Sequence, residues 1–212
     1  MTQKEKLSRR QRDRLRHRDE ILAVAMQLFS RRGHHNVSMQ EVAEAAEFSV
    51  GTLYNLFENK EALLEEVITS NTEKVLAEVL AIIEGPGDEA ERLRALFRQQ
   101  PELMGRHAAF IKLHFAEVGR YNADRMQKGT PKYEFHAVLD AKMSGLIASG
   151  IEKGLFRPVD PMVTAKAIHS FMESIVFEIS DRIDADVVAE IFVKAEQLFL
   201  DGLLLPGGQA DD

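Results

Sequence analysis

The sequence of 212 residues predicts an all-α protein with about nine helices. Apolar residues recur at helical spacing along most of the chain, and no segment shows the apolar–polar alternation that is typical of strands. Capping residues, glycine and proline separate these segments at intervals that suit helices. A helix-turn-helix arrangement near the N-terminus precedes a longer series of helices, so we expect two domains.

The first helix is predicted from one apolar stripe, which starts at about Arg18 and stops at Gly33. The stripe consists of Ile21, Leu22, Ala25, Leu28 and Phe29. Ser38, followed three residues later by Glu41, is a capping box. We therefore expect a short second helix that starts immediately after Ser38.

Two more polar caps predict the next helices. After Glu47-Phe48, Ser49 can cap a third helix that reaches about Phe57. Asn59 can cap a long fourth helix that ends at 85–87, the sequence Gly-Pro-Gly. Its length of about 37 Å is more than a small domain needs, so this helix could connect two modules.

Helix starts in the second half of the chain are predicted mainly from proline. Asp88 with Glu91 predicts the start of a fifth helix, and proline is favoured at the first position of the helices that follow. The expected ranges of the last four helices are about 101–118, 131–154, 161–181 and 185–204.

The net charge of −7 is unevenly distributed along the chain. Residues 1–60 contain 11 basic and 8 acidic residues, whereas the remainder contains 16 basic and 26 acidic residues. Residues 1–17 alone hold seven basic residues, and we expect a flexible basic arm there. The acidity of the whole chain therefore does not exclude a nucleic-acid partner for its front part.

Composition excludes several other classes of protein. The absence of cysteine excludes disulfides, thiolate metal sites and a cysteine nucleophile, and it fits a reducing compartment such as the cytoplasm. No apolar stretch is long enough to span a membrane, and the basic start lacks the apolar core of a secretory signal. Without a Gly-rich phosphate loop or a nucleophile elbow, we expect no catalytic residues and no cofactor.

Two short capped helices joined by a tight turn form a helix-turn-helix, which can place its second helix in the DNA major groove. On that helix, Leu53, Leu56 and Phe57 form the stripe expected to face the core. The opposite side suits DNA, because Asn55 can bond adenine and the Thr52 methyl can contact thymine. Any helical hairpin with a polar face would show the same spacing. The candidate DNA contacts are Ser38, Met39, Gln40, Ser49, Val50, Gly51, Thr52, Tyr54, Asn55 and Lys60. Among them, the Tyr54 hydroxyl, Lys60 and the amide groups at the capped helix starts are candidate phosphate ligands.

The run from Ser49 to Phe57, followed by Asn59 to Leu64, resembles the recognition-helix segment of the tetracycline-repressor (TetR) family. Matching positions upstream are Ile21, Leu22, Ala25, Leu28, Phe29, Gly33, Val42, Ala43 and Ala46. Glu47 departs from the family, which usually has glycine at this turn, and a left-handed backbone there would cost about 1 kcal/mol. Leu56 also replaces a more common aromatic residue.

The resemblance implies an all-helical homodimer whose N-terminal helices bind the half-sites of an inverted-repeat operator in double-stranded DNA. It also implies a C-terminal domain that binds a small-molecule effector and pairs its last two long helices with those of the partner. Most such proteins are repressors that the effector releases from DNA, and an activator of the same fold is an alternative. The expected domains are 18–62 for DNA binding, 63–205 for ligand binding and dimerisation, and 206–212 for a disordered tail.

Apolar faces in the C-terminal domain supply candidates for the effector pocket and for the dimer interface. The pocket candidates are Met104, His107, Phe110, Ile111, His114, Phe115, Met143, Ile147, His169 and Met172. The interface candidates are Ile168, Ile175, Ile179, Val188, Ile191, Ala195, Leu198 and Phe199. Both sets could instead belong to the core of a single chain.

The histidines keep one alternative of a different class open, a metal-binding protein or small-molecule enzyme that retains the helix-turn-helix. His114 with Glu117, together with His107 or His169, could supply metal ligands. Histidines seven residues apart lie about 10.5 Å apart along a helix axis, which is too far to share one metal. We therefore expect no metal site.

Overall fold

The structure is a computed structural model that describes residues 8–118, 131–179 and 185–205. These residues form nine α-helices and one short 3-10 helix, His34–Asn36, and an isolated bridge joins Phe156 to Leu204. The prediction of an all-α fold is confirmed. The helices are α1 (Arg9–Arg32), α2 (Met39–Ala45), α3 (Val50–Leu56), α4 (Lys60–Ile83), α5 (Glu89–Arg106), α6 (Ala108–Val118), α7 (Pro131–Glu152), α8 (Pro161–Ile179) and α9 (Ala185–Leu203).

Polar caps begin the helices where the sequence predicts them. Ser38 accepts a hydrogen bond from the Glu41 amide while the Glu41 carboxylate accepts one from the Ser38 amide, a complete capping box. Ser49 caps α3 through the Thr52 amide, with a nitrogen–oxygen distance of 3.1 Å. These caps depend on residues three positions apart, and a local sequence pattern is therefore enough to find them.

The predicted start of the first helix is wrong, because α1 begins at Arg9 rather than near Arg18. Ser8 caps it through the amide of Gln11, whose own side chain accepts a hydrogen bond from the Ser8 amide. Residues 9–17 of the expected flexible arm are therefore helical, since arginine and glutamine favour helices once a cap is present. Residues 1–7 lie outside the described part.

The predicted helix start at Pro101 is also wrong. Pro101 lies inside α5, which ends instead at Arg106 with His107 as its C-cap, and α6 follows directly. A proline inside a helix costs about 3 kcal/mol. Phe97, Leu103 and Met104 are buried on either side of it. Burial of each such side chain contributes about 1.5–3 kcal/mol, which offsets the cost of the proline.

The chain forms two compact units, and the division lies within α4 between Ser70 and Asn71. The first unit contains α1, α2, α3 and the start of α4. Its core contains Ile21, Ala25, Phe29, Val42, Leu53, Phe57, Leu63 and Val67. The second unit contains the rest of α4 and the helices that follow, and its largest buried side chains include Phe97, Phe156, Phe192, Leu113 and Met143.

A buried carboxylate anchors the start of α5 in the second unit. Glu89 is 1% exposed, and its Oε1 accepts hydrogen bonds from Ser149 Oγ at 2.7 Å and from Lys153 Nζ at 2.6 Å. Burial alone would raise the pKa of Glu89, but the hydrogen bonds from Lys153 and Ser149 outweigh it and lower the pKa to about 2. Glu89 is therefore ionised in the folded protein at neutral pH.

None of the helices in the described ranges is both long and apolar enough to cross a membrane. The expected tail, 206–212, and the predicted end of the eighth helix at Asp181 lie outside the residues that the structure describes.

Candidate nucleic-acid interface

The turn between α2 and α3 is tight and contains one left-handed residue. Glu47 has a φ of 60°, the only positive φ at a non-glycine residue in the described chain. The Phe48 amide donates to Ala43 O at 2.9 Å, and the Glu47 amide donates to Glu44 O at 3.1 Å. These bonds close the turn and hold the left-handed backbone in place. The conformation expected at this departure from the family pattern is therefore present.

Helix α3 turns one side into the core and the other outward, as its sequence predicts. Leu53 is fully buried, whereas Tyr54 is 55% exposed. Gly51 and Asn55 are exposed beside Tyr54, and Thr52 is half-buried with its hydroxyl 2.8 Å from Ser49 Oγ. The outward face therefore offers the amide of Asn55, the phenol of Tyr54 and the methyl group of Thr52, and Gly51 adds no side chain beside them.

Helix α2 contributes less to this surface than expected. Gln40 is exposed and Ser38 is half-buried, but Met39 is only 7% exposed. Met39, Val42 and Ala43 share the i, i+3, i+4 spacing, so they lie on the same side of α2, and all three are buried. The Met39 side chain therefore belongs to the core, and a contact from Met39 to DNA stays a prediction for its backbone amide at the start of α2. Val50, at the start of α3, is half-buried.

Lys60, which the sequence places among the phosphate ligands, is engaged within the protein. Its ammonium donates to the carbonyl oxygens of His34 at 3.0 Å, Val37 at 3.1 Å and His35 at 3.4 Å. These acceptors lie in and just after the 3-10 helix that precedes α2. An ammonium group has three donor hydrogens, so these three carbonyls account for all of them. Lys60 therefore ties the start of α4 to the segment that leads into α2.

Arg18 is a second organising residue, and no motif in the sequence indicates its role. Its guanidinium forms a two-pronged ion pair with Glu66 of α4, and one of its nitrogens donates to Leu56 O at 3.3 Å. The guanidinium carbon also lies 5.0 Å from the centre of the Phe57 ring. Arg18 therefore holds α1, α4 and the end of α3 together. Its position on the apolar stripe, three residues before Ile21, is the pattern that could have revealed it.

The N-terminal end of α2 carries a charge network of its own. The Ser38 amide, the Ser38 hydroxyl and Arg32 all donate to Glu41, and they lower the pKa of its carboxyl to about 2. The guanidinium of Arg32 lies 2.8 Å from this carboxylate. The negative charge of Glu41 is thus matched by a cation and by the positive end of the helix.

In the second unit, several pocket candidates share one packed core. Met104, Met143, Ile147 and Met172 are at most 7% exposed, and Ile111 packs against them. The others lie around the same helices: Phe110 is buried, and His114 and Phe115 are half-buried.

The two remaining pocket candidates are histidines with acidic partners. His107 Nε2 lies 2.9 Å from Glu78 Oε1, and His169 Nδ1 lies 2.6 Å from Asp140 Oδ1. Hydrogen bonds from Arg106 and His107 lower the pKa of Glu78. In the described part of the chain, no group of three or more His, Asp or Glu side chains could hold a metal ion. The side chain of Glu117, the fourth proposed ligand, lies outside the description.

The interface candidates divide into buried and accessible residues. Ile168, Val188 and Ala195 are at most 2% exposed within the chain, so their prediction as interface residues is wrong: they fill its own core. Leu198 is 65% exposed. Ile175, Ile191 and Phe199 are half-buried, and the side chain of Ile179 lies outside the described set.

Comparisons with known proteins find a family model that matches part of this chain and relatives that share its fold. Residues 21–67 match the family model described as "Bacterial regulatory proteins, tetR family". These residues run from the first buried position of α1 into α4, so the match covers the whole helix-turn-helix together with Lys60 and Glu66, whereas Arg18 lies just before it.

Similar proteins extend the match into the second unit. The HTH-type transcriptional repressor KstR2 of Mycobacterium tuberculosis is 25% identical over 145 residues, 66% of this chain and 70% of that protein. A structure of KstR2, described as a ketosteroid transcriptional regulator, covers 89% of this chain and 95% of its own with a TM-score of 0.64 and 20% identity.

One further relative and one further solved structure are also described as transcription regulators. The HTH-type transcriptional regulator UidR of Escherichia coli is 24% identical over 159 residues, 68% of this chain and 81% of that protein. A TetR-family regulator from Pectobacterium atrosepticum has the same fold, with a TM-score of 0.71, 24% identity, and coverage of 94% and 99%. With its capped helix-turn-helix and its outward polar face, residues 21–67 of this chain form a DNA-binding domain of the tetR family of bacterial regulatory proteins, and the whole chain shares its all-helical fold with TetR-family regulators.

Proposed function

We propose that the protein is a dimeric repressor that binds an inverted-repeat operator and leaves it when a small apolar or aromatic effector binds. The observation that carries the proposal is the outward face of α3, where Gly51, Tyr54 and Asn55 are exposed opposite the buried Leu53. A helix presented in this way can enter the major groove.

Each exposed side chain has a contact that its chemistry favours. Asn55 can form two hydrogen bonds with adenine N6 and N7, and the Thr52 methyl can pack on the thymine methyl. The Tyr54 hydroxyl and the side chain of Gln40 can bond phosphates, and Gly51 lets the backbone approach the groove closely. Lys60 has no place in this set, because its ammonium is engaged by three carbonyl groups.

Selection from random duplexes tests the DNA-binding part of the proposal. The purified protein is expected to enrich an inverted repeat whose half-sites lie about one helical turn or a multiple of it apart. Enrichment of no sequence, or of a single site without symmetry, would contradict a symmetric dimer with two recognition helices.

A dimer is supported by apolar surface on α8 and α9. Val163, Ala167, Ser170, Ser174 and Phe177 recur on one side of α8, where Val163 is 65% and Phe177 60% exposed. Small residues between two large apolar ones allow another helix to approach closely. On α9, Leu198 is equally exposed.

Sedimentation analysis of matched variants tests the dimer. Leu198→Glu is expected to shift the protein toward the monomer, because an interface would bury the new charge. Ala189→Glu on the same helix lies outside the proposed face and is expected to remain dimeric. A wild-type protein that is monomeric at all concentrations would overturn the proposal.

The effector part is supported by the chemistry of the second unit. Its core is rich in methionine, which adapts readily to ligands, and histidines occur at the edge of that core. The description of KstR2 as a ketosteroid regulator also favours an apolar effector. A thermal-shift screen of apolar and aromatic metabolites tests this part, and a hit is expected to lower operator affinity by about 5–150-fold.

The alternatives have less support. Two of the histidines in the proposed metal set hydrogen-bond Glu78 and Asp140, and the relatives are described as transcription regulators rather than enzymes. A reporter strain that lacks the gene distinguishes repression from activation, since expression rises on loss of a repressor. A cytoplasmic location fits both the cysteine-free sequence and a DNA partner.

A further inference from the structure

The first two turns of α1 carry a cationic face that none of the predicted DNA contacts includes. Arg10 and Arg14 are four residues apart, and Arg18, Ile21 and Ala25 continue the same side of the helix at helical spacing. Farther along α1 this side is apolar and buried in the first unit. Toward the N-terminus it therefore changes from an apolar to a cationic surface.

Two neighbouring residues show where this face lies relative to the recognition helix. The ring of His17 lies 4.9 Å from that of Phe48, just before α3, and Arg18 donates to Leu56 O at the end of α3. Arg14 and Arg10 lie about 4.5 Å and about 10.5 Å farther along the axis of α1 than His17. The cationic face thus extends beyond the turn where α3 begins.

Folding stability does not explain these charges. The first turn of α1 contains no acidic residue, so its arginines face the positive end of the helix dipole, which is unfavourable. Arg10 and Arg14 are both exposed and form no ion pair with any described residue. Arg16, on the opposite side of the helix, instead lies 3.7 Å from Glu20 and 3.9 Å from Asp13. A polyanion beside α3 is the partner that two exposed arginines in this place would suit.

We propose that Arg10 and Arg14 bind backbone phosphates of the operator just outside the bases that α3 contacts. The proposal rests on the proposed DNA-binding function and extends its surface to α1. Contacts of this kind fix the position of the protein on the duplex and raise affinity for all sequences alike. Base preference then remains with the face of α3.

The salt dependence of binding tests the proposal with two matched double variants. Arg10→Gln with Arg14→Gln removes the cationic face, whereas Arg9→Gln with Arg16→Gln removes the same charge from the other side of α1. Glutamine retains high helix propensity, so both variants keep the helix. The probe is a fluorescent duplex that carries the inverted repeat selected by the wild-type protein, with flanking base pairs on both sides.

Loss of each phosphate contact lowers the slope of log affinity against log salt by about 0.9, which amounts to about 3.6 for four contacts in a dimer. The first double variant is expected to show this reduction with an unchanged preferred sequence, and the second to keep the wild-type slope. Equal reductions in both variants would mean that only net charge matters, and no reduction in the first would exclude the contacts. Either result overturns the proposal, whereas failure of the wild-type protein to bind any duplex overturns the proposed function instead.

Discussion

Replacement of Glu47 by glycine is expected to stabilise the helix-turn-helix. A left-handed backbone costs a residue with a side chain about 1–2 kcal/mol, and Glu47 has a φ of 60°. Glycine removes this cost but makes the unfolded chain more flexible, which takes back about 0.4–1 kcal/mol. The Glu47 side chain is exposed, so little else is lost. The expected net gain is about 0.5–1 kcal/mol.

Hydrogen exchange of peptides within residues 38–57 measures this gain locally, where the turn opens. A tenfold change corresponds to about 1.4 kcal/mol, so exchange in Glu47→Gly is expected to slow by about 2–5-fold. Glu47→Gln removes the charge but retains the strained backbone, and its exchange is expected to match the wild type. Asparagine tolerates left-handed geometry better than most residues, so Glu47→Asn is expected to lie between the two.

The comparison with glutamine decides the cause. If Glu47→Gln slowed exchange relative to the wild type as much as Glu47→Gly does, the carboxylate rather than the backbone would be what destabilises the turn. Faster exchange in Glu47→Gly than in the wild type would contradict a cost of the left-handed backbone at this position.

Three other changes test the remaining assignments. Lys60→Met leaves three carbonyls without their cation, so we expect it to lower the free energy of unfolding in urea by about 1.5–3 kcal/mol. The slope of log DNA affinity against log salt is expected to stay unchanged, whereas a slope lower by about 0.9 per protomer would identify Lys60 as a phosphate ligand. Asn55→Ala is expected to weaken binding to the selected operator by about 1–3 kcal/mol and to leave random duplexes unaffected; equal losses on both would exclude contact with a base. Glu89→Gln is expected to be less stable than the wild type at neutral pH. Because the pKa of Glu89 is lowered to about 2 in the folded state, the difference in free energy of unfolding between wild type and variant should shrink as pH falls from about 4.5 toward 2. Urea titrations across this range measure it, and a constant difference would contradict an ionised Glu89.

The elements that the sequence predicts well are those determined by local contacts. Ser38, Ser49, Asn59 and Asp88 each accept a hydrogen bond from an amide three residues later, so their patterns are visible in a short window. The outward face of α3 is predicted equally well, because the burial of Leu53 fixes the orientation of a seven-residue helix.

The predictions that fail depend on contacts between distant segments. Pro101 begins no helix, because buried neighbours on both sides keep α5 continuous. Lys60 is typical of a phosphate ligand in sequence, but carbonyl groups more than 20 residues earlier engage it. Arg18 similarly reaches Glu66, 48 residues away. No short pattern records these pairings, since they exist only once the helices have packed together.

The shortness of α3 has a consequence for changing which sequences the protein recognises. A helix of two turns is not stable alone in water, so its position is imposed by its surroundings. The buried Leu53 and the bond from Arg18 to Leu56 O impose this position without using the side chains of Tyr54 and Asn55. The exposed side chains can therefore be exchanged in combinatorial libraries with little effect on folding. New operator specificities should be obtainable on this scaffold by randomising those positions while the supporting residues stay fixed.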